Sequence, residues 1–246
     1  MTDEGGPVRE LARDVYEATG RLKLMPGWFF PVRTTLIRLE DGSLWVHSPI
    51  ALSEELARAV DALGTITTLV APSLVHHLFI ADWKSRWPDA RVIGPPGLKK
   101  KRPDLTLDAT LSGDASLWPG LLQVRLEGVP AVQETVFAHL ASRTLICTDL
   151  IFNLHENNVE GWLSPWMFRL VNAYGRPSQS RLVRWVTKDR ARAGQSVRRM
   201  LDLPFDRLVM AHGDVIEHDG KAVLASACAW MLEGDSRVAA ARTQKS

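Results

Sequence analysis

Several things are scarce in this sequence, and each scarcity narrows what the protein can be. Cysteine occurs twice in 246 residues, as Cys147 and Cys228, and neither lies in a CxxC pair. That argues against a zinc ribbon, a dithiol redox motif and a disulfide framework; both thiols are expected to pack as small hydrophobes in a reducing cytoplasm. Charge of one sign is not in excess: the formal net charge is +2, which gives no reason to expect nucleic acid as a partner. No stretch of about 18 apolar residues occurs, so no membrane-spanning helix is expected. The opening MTDEGGPVRELARDVYEATG starts acidic and holds no apolar h-region, so no signal peptide is expected. There is no short-period repeat, no low-complexity linker, no phosphate-cradling glycine loop and no serine nucleophile elbow. What remains is an ordinary globular balance, 46% hydrophobic and 24% charged, in a chain long enough to bury a sizeable core. The basic run Lys99-Lys100-Lys101-Arg102 reads as a solvated loop, with anion or phosphate binding as its alternative.

The patterning predicts a short amphipathic helix over 7–19, then an irregular aromatic passage, LKLMPGWFFPVR. TTLIRLEDGSLWVHSPI holds two apolar strands around Asp41-Gly42, a hairpin signal. SEELARAVDALG predicts a helix with Ser53 as N-cap and Gly64 just past its end. TITTLVAP reads as a strand, HHLFIADWKSRWPDA as a helix stopping at Pro88, and ARVIGPP as a strand. LLQVRLEGV, ETVFAHL and RTLICTDLIFN are three successive strands, with Ser142-Arg143 in the turn between the last two. An aromatic segment of helical spacing (159–174), a helix over 178–201, the strand FDRLVMAHGD and a helix over 221–233 follow. Strand runs interleaved with helices predict sheets covered by helices. A single domain over 1–246 is expected, with 159–202 as a helical insert and 234–246 as a disordered tail.

Candidate chemistry gathers at strand ends. LVAPSLVHHLFIADW carries adjacent histidines, His76 and His77. In a regular strand they would face opposite ways; the Pro72-Ser73 break allows the turn or helix start from which both can reach one ion. Asp149 closes RTLICTD, and His212 precedes Gly213 at the end of LVMAHG. Imidazole and carboxylate suit zinc, iron or manganese. The plainer readings are buried, hydrogen-bonded histidines and a carboxylate accepting backbone N–H groups. Glu134 is a candidate general base, whereas His139, pointing to the other strand face, is not expected to share its site. Cys147 reads as core, and Glu217-His218 as a surface hairpin.

Four of these stretches, in order, resemble the metallo-β-lactamase superfamily. DGSLWVHSPI is similar to its opening strand, which ends in Asp; LVAPSLVHHL stands where the family has HxHxDH; RTLICTDLIF is similar to the strand ending in a bridging Asp; LVMAHGD is similar to the last strand, ending in His-Gly. The resemblance spans roughly residues 32–216 and is nearest to a divergent branch, a domain family of unknown function. It implies an α/β fold, a four-layer αββα sandwich with a metal site at one edge of the two sheets.

The departures from that pattern matter as much. In the HxHxDH register the two leading histidines fall on Pro72 and Leu74, the Asp on His76 and the last His on His77. The third histidine of the family would fall near Val129-Pro130, and the opening Asp is replaced by His47. One metal position is thus erased. The other implies one divalent metal, zinc first and iron or manganese as alternatives, held by His76, His77, Asp149 and His212. Glu134 and His47 are the residues that could rebuild the erased position.

The function implied is a metal-dependent hydrolase with a reduced, mononuclear site, turning metal-activated water on an ester, lactone, amide or phosphoester. Asp149 and Glu134 are its expected catalytic residues, a small molecule its expected substrate, and a cytoplasmic protein, as a homodimer, its expected form. One rival is a metal-free relic that keeps the fold as a binding or scaffold protein; another is an oxidoreductase-like iron site. The aromatics Trp162, Trp166, Phe168 and Tyr174 follow a site strand. They are expected to form a lid or apolar wall, with core, a membrane-surface helix or an interface as alternatives.

Overall fold

In the computed structural model, which describes residues 6–233, the chain forms two sheets. The first has seven strands in chain order: β1 (Arg9–Ala12), β2 (Val15–Met25), β3 (Trp28–Arg38), β4 (Leu44–His47), β5 (Ile66–Val70), β6 (Arg91–Gly94) and β7 (Ala109–Thr110). Pairing is antiparallel up to β4 and parallel from there on. The second holds β8 (Leu121–Arg125), β9 (Thr135–His139), β10 (Thr144–Cys147) and β11 (Arg207–Met210), in the order β11-β10-β9-β8. The helices are α1 (Glu54–Leu63), α2 (Ile80–Arg86), α3 (Leu98–Lys101), α4 (Ser164–Leu170), α5 (Arg181–Val186), α6 (Arg190–Asp202) and α7 (Gly220–Ala227).

The layering follows from side-chain alternation. In β4, Leu44 and Val46 point outward into a core with Leu56 and Val60 of α1 and Trp83 of α2. Trp45, between them, points inward and meets Phe137, Ile146 and Val209 of the second sheet. The second sheet repeats this: Ile146 faces inward, while Leu145 and Cys147 pack outward on Val197 and Met200 of α6 and Leu224 of α7. Two pleated sheets with both faces buried require helices outside each, so four layers result. Each large side chain buried this way stabilises by roughly 1.5–3 kcal/mol.

The hairpin at Asp41-Gly42 and the helix capped by Ser53 both form; Ser53 Oγ accepts from the Leu56 N–H at 3.0 Å. The helix expected over 7–19 does not. Val8, Leu11 and Val15 have helical spacing, but Val15–Ala18 are four consecutive buried residues paired with β3 from Val15↔Ile37 onward. Where both faces of a strand are covered, apolar spacing loses its meaning and pairing decides. Asp14, at φ 62, makes the β1–β2 turn. The aromatic passage is likewise regular: it forms the β2–β3 turn at Pro26-Gly27 and the first half of β3.

The helix expected over 178–201 is two helices. Between α5 and α6 the Lys188 and Asp189 N–H groups both donate to Gly128 O, and Asp189 caps α6 by accepting from Arg192 N at 3.0 Å. Of residues 159–202, α6 is a layer of the sandwich, whereas α4 and α5 sit at its edge. There Phe168 joins a small core with Phe152, Leu154, Val159 and Ala173. The basic run, expected as loop, is the single helical turn α3 and its cap. The tail expected over 234–246 lies outside the described residues.

Candidate metal centre

Three elements end at one point. Past β10, the Thr148 N–H donates to Glu134 Oε1 at 2.6 Å, which pins the turn that presents Asp149. Past β11 comes His212-Gly213. Gly213 has φ 101, and a Cβ there would lie 1.9 Å from Asn153 O, so glycine is what lets the 152–154 loop cross beside it. The crossing closes with Asn153 N–H to His212 O at 3.0 Å and stacks the Phe152 ring on His212, centroids 5.1 Å apart. Phe30 packs edge-on against the same imidazole at 4.4 Å. Arg33 ties β3 to this corner: its Nε bonds Glu17 at 2.6 Å and its Nη1 donates to Met210 O. In the loop after β5, Ser73 Oγ accepts from Val75 N and His76 N, both at 3.2 Å, and so folds the turn that carries His76.

His76, Asp149 and His212 converge, one ligand atom from each lying within 4.8 Å of the others. His76 Nε2 is 3.2 Å from His212 Nε2. His76 Nε2 lies 3.3 Å from Asp149 Oδ2, and His212 Nε2 lies 3.4 Å from Asp149 Oδ1. The far side of each ring is held: His212 Nδ1 donates to Pro31 O at 2.7 Å, and His76 Nδ1 bonds Ser48 Oγ at 2.7 Å. A carbonyl can only accept, so neutral His212 turns an Nε2 lone pair toward Asp149. Two imidazole nitrogens and a carboxylate closing on one space could hold a cation between them. The separations match the edge of a tetrahedron with 2.0–2.1 Å arms, about 3.3 Å, and each imidazole has the outer partner that metal-binding histidines use. The donor set fits one divalent ion.

Electrostatics agree with the geometry. For Asp149, burial alone would raise the pKa, but His76 and His212 outweigh it and hold the carboxyl well below its usual range. Burial also works against protonation of His76, yet Asp149 prevails and raises its pKa. Burial lowers that of His212, against the pull of the Asp149 carboxylate, which accepts from the protonated ring. Glu134 is pushed up to about 7, first by burial and then by Asp149.

The other expected residues are not part of this convergent group, although His77 also lines the cavity that the group borders. His77 is not in the convergent group: its Nδ1 faces Arg102 Nη1 at 3.2 Å, and burial together with Lys101 and Arg102 lowers its pKa. The tight turn sends the two neighbouring imidazoles apart. Glu134 is fully buried behind the site, and its Oε2 makes no hydrogen bond. It is absent from the cavity wall, and its hydrogen bond to the Thr148 N–H ties it to the turn that carries Asp149. His47 stacks on Trp45 with its Nε2 unbonded, and burial then His76 depress its pKa to about 3. His139 bonds Ser142 Oγ at 2.8 Å, at the far end of β9. Cys147 packs under α6 and α7, and His218 faces Asp206 at the surface. Ser48, Pro31, Phe30 and Phe152 went unnoticed in the sequence; Ser48 adjoins His47 in the family's opening-Asp register, but its contact with His76 depends on φ 56, which no motif announces.

His76, Asp149 and His212 lie in the wall of a cavity of about 400 Å³. The rest of that wall is mostly apolar, with Phe30, Ile50, Phe79, Val132, Phe152 and Val183 among it. Trp162 and Trp166, expected as lid or core, are neither buried nor part of the wall: they are 81% and 62% exposed. Among the described residues no helix is long and apolar enough to cross a membrane.

The profile of a domain of unknown function (DUF4336) matches residues 25–98. No curated protein matches the chain. Among solved structures, the metallo-β-lactamase FIM-1 from Pseudomonas aeruginosa in its mono-zinc form is similar over 94% of this chain and 98% of its own, at 12% identity and TM-score 0.66. A metallo-β-lactamase from Hirschia baltica covers 92% and 98%, at 11% identity and TM-score 0.62. A putative diflavin flavoprotein fragment from Nostoc sp. PCC 7120 covers 94% and 98%, at 12% identity and TM-score 0.62. Proteins so distant in sequence share the whole architecture with this chain, and the fold it adopts is that of the metallo-β-lactamases.

Proposed function

We propose that the protein is a metal-dependent hydrolase with a single divalent ion, zinc in the first instance, acting on a small molecule with an apolar part. The observation that carries this reading is the convergence of His76 Nε2, Asp149 and His212 Nε2, each imidazole oriented from behind by Ser48 Oγ or Pro31 O. His76, Asp149 and His212 would hold the ion, which, when bound, supplies Lewis acidity and makes coordinated water acidic enough to react near neutral pH. FIM-1, similar in fold, is described in a mono-zinc form.

The chain's own residues do the rest. Asp149 reaches the cavity between the two imidazoles; held ionised by them, it would accept a hydrogen bond from an attacking water and orient it rather than keep its proton. Glu134, behind it, positions Asp149 through Thr148. Phe30, Phe152 and Val183 exclude bulk water from one side of the histidines and bind the apolar part of the substrate. The bond broken is that of an ester, lactone, amide or phosphoester. Elemental analysis of untagged protein, with titration calorimetry using zinc, manganese and ferrous iron, tests the reading. About one metal per chain supports it; no binding near neutral pH would give the cavity to a metal-free binding protein.

A further inference from the structure

Among the described residues, every large apolar side chain left exposed, except Leu117, belongs to the β2–β3 turn, the 72–79 loop or the 159–186 segment. These three segments meet at the cavity mouth. Leu24, Val75, Leu78 and Leu182 are each about half exposed and also form part of the cavity wall. Trp162 covers Gly27 at the β2–β3 turn, and Leu163 N donates to Gly27 O at 3.0 Å. Arg181 N donates to Val171 O at 2.8 Å, which sets α5 against the end of α4. Trp185 follows Leu182 by three residues within α5, a spacing that keeps the two on one face, and Trp166 lies in the first turn of α4. Trp162 and Trp185 are 81% and 79% exposed, far more than indole rings that serve a core.

The charge around this rim is mainly positive, although Asp82 and Asp104 are exposed on the α2–α3 side, Asp104 paired with Arg102. Lys23 is exposed beside Leu24, as are Arg169 on α4 and Arg181 and Arg184 on α5. Lys99, Lys100 and Lys101 are exposed on α3, and Lys101 Nζ bonds Leu74 O at 2.7 Å, in the loop that carries Val75 and Leu78. Within residues 159–186 the exposed acid is Glu160, which is paired with Arg21. A chain of net charge +2 thus carries these cations on the segments that also expose Leu24, Val75, Leu78 and the tryptophans. Protein interfaces tend to exclude lysine from their centres, whereas exposed tryptophan ringed by lysine and arginine suits the headgroup region of a negatively charged bilayer.

We infer that the cavity mouth docks on an anionic lipid surface, and that the site takes an amphiphile from it. The hydrocarbon chain of that substrate lies along the apolar wall, and its polar linkage reaches His76, Asp149 and His212. The identity of the substrate rests on the hydrolase reading; the docking does not.

Co-sedimentation with vesicles of phosphatidylglycerol and phosphatidylcholine, against phosphatidylcholine alone, tests it. Binding is expected on the anionic vesicles, about tenfold weaker on the neutral ones and reduced by about 0.5 M salt. Trp162→Ala with Trp185→Ala should lower partition about tenfold, and Lys99→Gln with Lys100→Gln and Lys101→Gln on the order of a hundredfold on anionic vesicles. Each variant should keep a cooperative melt close to that of the wild type, since these side chains are largely exposed and only the Lys101–Leu74 bond and the Trp162 contact with Gly27 are lost. His212→Ala should bind vesicles as the wild type does, which separates docking from the metal site. Failure of folded wild-type protein to sediment with anionic vesicles at low salt would overturn docking. So would unchanged partition in both variants, or a dimer dispersed by the tryptophan substitutions without vesicle binding, which would assign the rim to a second copy. Vesicle binding by a protein that takes up no metal would leave docking standing and remove the hydrolase.

Discussion

Pro31 and His212 are 181 residues apart, and the His212 Nδ1–H donates to the Pro31 carbonyl at 2.7 Å. That bond decides which imidazole nitrogen faces Asp149. Because the acceptor has no proton to give, the tautomer is set by geometry rather than chosen by the ring. The Phe152 ring stacked on one face and the Phe30 edge on another leave the imidazole little room to turn.

The first expected outcome is therefore one metal per chain. His76→Ala, Asp149→Asn and His212→Ala should each abolish binding, while His77→Ala and His139→Ala should not. Affinity should fall as pH drops, beginning above the ordinary imidazole value of about 6.5, because imidazole binds only when neutral and Asp149 raises the pKa of His76. Calorimetry with elemental analysis reads all of this. A stoichiometry near two would mean that Glu134 or His47 rebuilds the erased position.

Ser48→Ala removes the outer partner of His76 without touching a proposed ligand. Metal affinity should fall about 10–100-fold, with the melting temperature of the apo-protein nearly unchanged. Equal affinity in this variant would show that His76 needs no second partner to be aimed.

Gly213→Ala places a Cβ 1.9 Å from Asn153 O at a backbone angle of φ 101. The strained conformation alone costs about 1–3 kcal/mol, and the 152–154 loop must also retreat. Urea unfolding should show at least that loss, and metal binding should weaken as Phe152 leaves His212.

His47 has its pKa depressed to about 3 by burial and by His76. A group that stays neutral in the fold but protonates in the unfolded chain withdraws stability as pH falls below its unfolded value of about 6.5, by ~1.4 kcal/mol per pH unit. Between pH 7 and pH 5 the wild type should lose roughly 2 kcal/mol more than His47→Leu. Parallel denaturation curves for the two proteins at both pH values isolate the difference.

Glu134 behaves in the opposite sense. Its pKa is raised to about 7, so its contribution is complete below its unfolded pKa and is lost as pH rises toward 7. Glu134→Gln keeps an oxygen for the Thr148 N–H but carries no charge. It should be more stable than the wild type at pH 8, with the advantage fading toward pH 5, as urea unfolding at the two values would show. An advantage independent of pH would mean that packing, not charge, explains it.

Much of the architecture was written in local pattern. Alternation in LWVH and TLIC, the Asp41-Gly42 turn and the Ser53 cap act over a few residues, so their physics is present in the sequence itself. The strand-end positions of Asp149 and His212 were legible for the same reason: a polar residue closing an apolar strand has few places to be. Tertiary structure decided the rest, because it depended on what a segment meets rather than on what it contains. Val8, Leu11 and Val15 suggest a helix until β3 offers Val15–Ala18 a partner along its length. His76 and His77 are the same residue side by side, and nothing in HH ranks them. Ser48 drew one inward and Arg102 held the other away, by contacts 28 and 25 residues distant. Trp162 and Trp166 could have been core; a position at the sandwich edge, with Phe168 filling the space beneath, left both rings at the surface.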